Sequence, residues 1–513
     1  MPYNSFDQSS GIGLTSNGEK LKSNRRHLWK IVLVALVLIV AGGASVYFFV
    51  IKNKPQNANV VTDDQSNDNP SSSSNSTSPS QNSTDPNNGQ NLFDDSHAPN
   101  NYTPPIDQPF PYGKQAIRGV NLGGWLVLEP FITPSLFTTP GVIDEWTLCA
   151  SLGPTKAKDV MDNHYSTFYT EDDFKQIASY GLNFVRIPVG YWAVDIVAGE
   201  PYVPDLSWTY LLKGINWARK YGLRVLLDLH AVPGSQNGWN HSGKQGTIDW
   251  LSGPDGPANA QRSLLIIQKL ATFFSDPKYM HVVPFFGALN EPRINFGGLQ
   301  QNAVQNWYLQ AYKTIRNTNV TEDWRPWIVF HDGFVGFNTW TGLKGLDRVI
   351  LDTHSYIAFD PNLSKLPPTS QIVFPCAKWG PLLQTANQVV PFAITGEWSV
   401  STNDCATFLN GVDGKPSYEG SCPTCTCTGA LDYKNYSAQT KDFMKQFFLA
   451  QVDAFEMGGG WFFWTWKTEN HVNPTWDYQL GVEQGWIPQD LQNRQVTCAG
   501  LKAQYPDAFA SLA

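Results

Sequence analysis

The sequence predicts an α/β protein: a (β/α)8 TIM barrel with loop insertions, preceded by a single transmembrane helix and a disordered linker. Three observations carry this. Residues 31–51 form an apolar run without a charge. A stretch rich in Ser, Asn, Asp and Pro follows it to about residue 110. From residue 111 to 513, eight short apolar segments alternate with segments of helical period, the pattern of a parallel sheet with crossover helices.

Residues 1–30 read as a cytoplasmic tail and 31–51, "IVLVALVLIVAGGASVYFFVI", as a retained signal anchor. About 20 uncharged residues span a hydrocarbon core as one helix, whereas a cleaved signal peptide has a shorter core and a small-residue cleavage site. Lys20, Lys22, Arg25, Arg26 and Lys30 precede the run, and only Lys52 and Lys54 closely follow it. That bias keeps the N-terminus in the cytoplasm, so the expected product is a single-pass type II protein of the plasma membrane with everything after residue 51 outside. Residues 52–110 hold hardly an aromatic before Phe93 and cannot form a core. As a flexible tether they reach on the order of 40 Å. Glycosylation sequons stand at Asn75, Asn82, Asn101, Asn240, Asn319, Asn362 and Asn435, all on the expected outer side.

The candidate strands of the 111–513 domain are "AIRGVNL", "NFVRIPV", "RVLLDLH", "VVPFFGALN", "WIVFHDG", "RVILDTH", "PFAITGE" and "GGWFFWTW". Helical-period stretches such as "TEDDFKQIASYG", "TYLLKGINWARKYG", "QRSLLIIQKLATFF", "QNWYLQAYKTIR" and "TKDFMKQFFLAQVDAF" separate most of them. The gap between the fifth and sixth strands is short. A doubly wound open sheet is the competing arrangement, but no glycine-rich phosphate fingerprint follows the first strand.

A net charge of −8 over 513 residues argues against nucleic acid, since phosphate binding draws on clustered Lys and Arg. Aromatics make up 13% of the chain, with 19 Trp, which suits a neutral sugar held on aromatic faces as well as ordinary core packing. Of the seven cysteines, "CPTCTC" resembles half a zinc site, but no second Cys or His pair lies at the required spacing. Export favours disulfides instead.

In such a barrel the C-terminal strand ends face the active site. Those ends read Asn121, Arg186, Asp228 with His230, Asn290 with Glu291, Asp332, His354 with Tyr356, Glu397, and Trp466. Glu291 and Glu397 follow strands four and seven, whose tips face across a closed barrel. Glycoside hydrolysis needs two such carboxyls, one to protonate the leaving oxygen and one to attack the anomeric carbon or direct water onto it. Asn290, beside Glu291, can hydrogen-bond a sugar 2-hydroxyl.

The motifs "RGVNLGGWLVLEPFITPSLF", "RIPVGYW", "LDLHAVPGSQNG", "LNEP", "DTHSY", "TGEWS" and "FFWTWKTEN" resemble the fungal exo-β-1,3-glucanases of glycoside hydrolase family five, particularly their membrane-anchored type II members. The resemblance runs from residue 111 to 513. It implies a retaining exo-acting glucan 1,3-β-glucosidase that releases glucose from cell-wall β-1,3-glucan, with Glu291 as acid/base and Glu397 as nucleophile. Arg186 would keep the nucleophile ionised. His230, Asn290, His354 and Tyr356 would line the first sugar subsite, with Trp466 as its floor and Glu129 closing the pocket. Trp239, Phe334 and Phe359 would clamp the next glucose. Relatives tend to carry Phe where Trp239 stands, and a glycan on the adjacent Asn240 would crowd the rim, so Asn240 is expected to stay bare. The resemblance pairs Cys376 with Cys498, and Cys405 with one of Cys422, Cys425 and Cys427, and implies neither cofactor nor metal. The competing readings are another retaining β-glycanase, such as a β-1,6-glucanase or cellulase, and a catalytically silent wall-binding anchor.

Overall fold

The computed structural model describes residues 93–318 and 325–512. Eight parallel strands close into a barrel in sequence order. They are β1 (Ile117–Asn121), β2 (Phe184–Gly190), β3 (Arg224–Ala231), β4 (Phe285–Leu289), β5 (Trp327–His331), β6 (Val349–His354), β7 (Ala393–Glu397) and β8 (Gly460–Phe463). All eight expected segments are strands, and closure excludes the open sheet.

The helices are α1 (Glu145–Thr167), α2 (Glu171–Ser179), α3 (Leu206–Lys220), α4 (Gly256–Phe274), α5 (Gln301–Arg316), α6 (Pro368–Phe374), α7 (Gly380–Thr385) and α8 (Ala438–Phe455), with three short ones after β8. α1 is interrupted at Gly153, whose φ of 71° precedes Pro154. The helical periodicity missed this helix for that reason. Between β5 and β6 lie only two 3-10 turns, Phe337–Thr339 and Thr341–Leu343, as the short gap implied.

The barrel interior follows from the two-residue period of a strand. One residue from each strand, Ile117, Phe184, Leu226, Phe285, Val329, Ile350, Ile394 and Phe462, meets in an inner cluster. Two residues further along the same faces stand Gly119, Arg186, Asp228, Gly287, His331, Asp352, Gly396 and Trp464. The lower layer is therefore oily, and the upper one, at the C-terminal mouth, sets Arg186, Asp228, His331 and Asp352 among three glycines and Trp464.

The start of the domain needs a correction. Residues 93–110, assigned by composition to the linker, pack on the barrel. Phe110 joins the inner cluster. Arg224, at the start of β3, donates to the carbonyls of Pro104, Pro105 and Gln108. Asp95 pairs with Arg219 at 2.7 Å. A few anchors, Phe110 above all, seal the strand-start end of the barrel, and composition averaged over the stretch conceals them. No helix among the described residues is long and apolar enough to cross a membrane. The apolar run 31–51 and the sequons at Asn75, Asn82 and Asn319 lie outside the described residues.

Candidate active site

Arg186 organises the mouth. It is 1% exposed, and its Nη1 donates to Glu397 Oε1 at 2.7 Å and to Asn121 Oδ1 at 2.8 Å. Its Nη2 donates to Asn290 Oδ1 at 2.7 Å and lies 3.0 Å from Asp228. A guanidinium so enclosed by carboxylates is held protonated: burial lowers its pKa, but Asp228 and Glu397 raise it further. Asn290 turns its amide nitrogen to His230 Nε2 at 3.3 Å, and His230 Nδ1 meets Asp228 at 2.8 Å. Each strand tip thus orients the next.

Two features place the carboxyls. Glu291 follows β4 with φ of +42°, a left-handed conformation costing of order 1–3 kcal/mol for a non-glycine residue and concentrated at functional sites. Glu397 ends β7 directly after Gly396, where a Cβ would stand 2.1 Å from Asp352 Oδ2. No other residue fits there while Asp352 accepts the Gly396 N–H at 2.6 Å.

His354 spans the two acids, its Nδ1 lying 2.5 Å from Glu291 Oε1 and 3.4 Å from Glu397 Oε2. Those oxygens are therefore at most about 6 Å apart, compatible with the ~5–5.5 Å of retaining glycosidases and short of the ~6.5–9.5 Å of inverting ones. Burial opposes charge on His354, but Glu397, Asp352 and Glu291 together raise its pKa to about 10. Burial also pushes Glu291 up, yet the imidazolium against it holds its carboxyl below the usual range. Glu397 is raised, by burial first, against the pull of His354 and Arg186. Tyr356 donates to Glu397 Oε2 at 3.1 Å.

The remaining expected residues divide. Glu129 is 4% exposed, its Oε1 has no hydrogen-bond partner among the described residues, and burial followed by repulsion from Glu397 and Glu291 raises its pKa well above the ordinary value. Trp239 and Phe334 meet edge to face at 6.1 Å, with Arg293 4.9 Å from the Trp239 ring centre. Phe359 packs instead on Tyr356 and Trp476.

Trp466 is a correction. It is fully buried, donates to Asp173 at 2.9 Å and stacks on Tyr478, so it belongs to the core. Trp464, two residues earlier, is the one beside the site residues: its ring lies parallel to His230, 10° between planes and 5.7 Å between centres. β8 ends at Phe463, so the alternation that carries Trp464 inward does not extend to Trp466.

Sequence reasoning missed His241 and His331. His241 Nε2 lies 3.4 Å from Glu291 Oε2, and His331 packs against His354 with ring centres 4.4 Å apart. His331 was findable, being two residues beyond Val329 on the inward face of β5; His241 sits in a loop with no such signal. Among the described residues, Glu291, His331 and His354 place ligand atoms within 4.8 Å of one another. That is a metal-like grouping, and the 2.5 Å contact of His354 Nδ1 with Glu291 Oε1 accounts for its closest pair.

Cys376 pairs with Cys498, Cys405 with Cys427, and Cys422 with Cys425, leaving Cys149 as a buried thiol. The bridge at sequence separation 122 closes a loop worth on the order of 4–5 kcal/mol in the chain-entropy account. With all three cysteines of "CPTCTC" bridged, no thiolate remains there for zinc. Asn101, Asn362 and Asn435 are exposed, and Asn240 is half-buried.

Residues 153–410 match the family model "Cellulase (glycosyl hydrolase family 5)". The chain is 43% identical over 430 residues to the probable glucan 1,3-beta-glucosidase D of Aspergillus clavatus, covering 79% of this chain and 51% of that one. It is 43% identical over 429 residues to the glucan 1,3-beta-glucosidase D of Emericella nidulans, covering 79% and 50%. The chain thus spans about half the length of the curated relatives it matches. Among solved structures, the rutinosidase from Aspergillus niger superposes with a TM-score of 0.57 at 20% identity, over 72% of this chain and 97% of that one, a likeness of fold.

Proposed function

Because the chain belongs to glycosyl hydrolase family 5, we propose that it is a retaining, exo-acting glucan 1,3-β-glucosidase that releases glucose from the non-reducing ends of β-1,3-glucan. The observation that carries this is the pair Glu291 and Glu397 bridged by one imidazole, at a separation suited to direct attack. The substrate comes from the relatives, both named glucan 1,3-beta-glucosidase D.

The geometry supports a division of roles. Glu397 accepts from Arg186 and Tyr356, two donors that hold an oxyanion still for attack on the anomeric carbon. Glu291 is met by imidazoles, which exchange protons with it. In glycosylation the Glu397–C1 bond forms as the C1–O bond breaks, and the leaving oxygen takes the Glu291 proton. In deglycosylation Glu291 removes a proton from water, whose oxygen displaces Glu397. The lowered Glu291 pKa runs against an acid role. Protonation at Oε2 supplies the proton that Glu291 delivers, while His354 Nδ1 stays 2.5 Å from Oε1, and it removes one of the charges that burial opposes. Glu129, whose Oε1 has no partner among the described residues, would bond the terminal glucose and stop the cleft there, which is what makes the action exo. A sugar hydroxyl in place of water would make the same intermediate a transglycosylation donor.

The chain further reads as anchored in the plasma membrane through residues 31–51, with the barrel facing the cell wall. The apolar run and its basic flank support this, and so do three disulfides, which persist in oxidising compartments. Asn75, Asn82, Asn101, Asn319, Asn362 and Asn435 are the glycan acceptors of this reading. Protease on intact protoplasts should release an active fragment, and an active domain fully protected from it would rule the topology out.

The family model's description, cellulase, keeps a β-1,4-glucan in play, and a β-1,6-glucan shares the same chemistry. Incubation with laminarin, cellulose and pustulan, with product anomer followed by NMR, tests the reading. Early β-glucose from laminarin alone supports it. α-Glucose would remove the retaining mechanism, and preference for cellulose or pustulan would remove the linkage.

A further inference from the structure

The two oxygens of Glu291 meet different histidines. Oε1 lies 2.5 Å from His354 Nδ1, and Oε2 lies 3.4 Å from His241 Nε2. His354 comes from a strand end. His241 comes from the 3-10 turn Asn240–Ser242 in the β3–α4 connection, inside what the sequence offers as a glycosylation sequon.

That turn is firmly held. Ser242 Oγ donates to the Trp239 carbonyl at 2.7 Å and lies 2.6 Å from Ser235 Oγ, which accepts the Gly238 N–H at 2.8 Å. The next residue, Gly243, has φ of +81°, and a Cβ there would stand 2.5 Å from the Trp192 ring. The His241 ring lies 5.4 Å from His230 and 5.4 Å from Trp239. It therefore stands between His230 and Trp239, with Nε2 3.4 Å from the Glu291 carboxyl.

We propose that His241 is a positioning residue for Glu291, donating from Nε2 to Oε2 once that oxygen has delivered its proton, and so orienting the carboxyl for proton transfer to and from the glycosidic oxygen. The inference rests on Glu291 being the acid/base. Oε1 is engaged by His354, so Oε2 is the oxygen free to face the leaving group. A carboxyl held at one oxygen retains a broad terminal torsion, and a second donor narrows it. As the glycosidic oxygen takes the proton, the O–H bond at Oε2 breaks and its electron pair stays on the carboxylate, where both N–H groups stabilise it. Burial lowers the His241 pKa to about 4, so the ring supplies this hydrogen bond without a further buried charge.

Besides His241, the titratable groups acting on Glu291 include His354 and His331, with Glu397 and Glu129 as neighbouring carboxyls. On His241 act Glu291, His230, His354 and Arg186. Removing only the Nε2 donor leaves the rest in place.

The test compares His241→Phe, which keeps a flat ring but no donor, with His241→Gln, whose amide nitrogen reaches the Nε2 position. On laminari-oligosaccharides, whose leaving group needs protonation, His241→Phe should lower kcat/KM about tenfold, the scale of one charge-assisted hydrogen bond. On dinitrophenyl β-glucoside, which needs no acid, the change should stay within about twofold. The basic limb of the kcat/KM pH profile should move to higher pH, because a carboxylate that loses a donor is more readily protonated, and His241→Gln should restore both. Equal losses on the two substrates with an unmoved basic limb would overturn the proposal, as would no loss at all. Should His241→Phe not fold, His241→Asn shortens the donor's reach and carries the same comparison. Glu291→Gln runs alongside: if dinitrophenyl β-glucoside fails to rescue it, the acid/base assignment itself falls, whatever His241 does.

Discussion

Nδ1 of His354 lies 2.5 Å from Oε1 of Glu291, so the acid/base and its nearest imidazole share one proton inside a buried pocket. The His354 pKa is raised in the folded state to about 10 from about 6.5 in the unfolded chain. A raised pKa stabilises the fold fully below the unfolded value and progressively less as pH rises to the folded one. The melting temperature should therefore fall by a few degrees between pH 6.5 and 10, and His354→Gln should flatten that decline. The opposite arm belongs to His164, whose pKa burial lowers to about 4. Stability should be lost as pH falls from about 6.5 toward 4. Calorimetric scans across pH 4–10 check both arms, and a profile still rising at pH 9 would contradict them.

Glu291→Gln and Glu397→Gln should each reduce kcat on laminari-oligosaccharides by at least about three orders of magnitude, since each removes a reacting carboxyl while conserving volume. Dinitrophenyl β-glucoside should restore glycosylation to the first variant only, read as a burst of dinitrophenol. A burst from Glu397→Gln instead would reverse the roles.

Trp464→Ala and Trp466→Ala should separate cleanly although the residues are two apart. Trp464 stacks on His230, so its loss should reduce kcat/KM on glucans and aryl glucosides alike. Trp466 is core, and truncating a buried Trp costs about 3–5 kcal/mol. That variant should melt at markedly lower temperature, and what stays folded should keep near-normal KM. Melting curves and kinetics on both variants decide it.

Trp239→Ala should raise KM for oligosaccharides about five- to tenfold, the loss of roughly 1 kcal/mol of aromatic contact, while KM for an aryl glucoside, which brings its own flat leaving group, changes little. A residue that only packs would instead lower the melting temperature and leave substrate preference alone. The stacking of Arg293 over this ring leads to the expectation that Arg293→Ala reproduces part of the effect.

The sequence by itself determined the eight strands, because their interior faces repeat every two residues and most carry, at or just past the end, a polar side chain that an oily barrel cannot bury lower down. It also pointed to Arg186, Glu291 and Glu397, which the barrel brings together, the last following a glycine that Asp352 forces upon β7. Where a strand stops is a different kind of fact. Trp464 and Trp466 have the same period, and only the turn after Phe463 decides that one faces His230 and the other Asp173. His241 joins Glu291 from a loop 50 positions earlier in the chain, held by Ser235, Ser242 and Gly243, and loop closure leaves no periodic trace in a sequence. Phe110 and Asp95 likewise look like linker residues until the bottom of the barrel supplies Phe184 and Arg219 to receive them. Local periodicity encodes which residues point inward. Which of them touch is settled by closure of the barrel and the path of its loops, because those contacts depend on distances that no stretch of neighbouring residues contains.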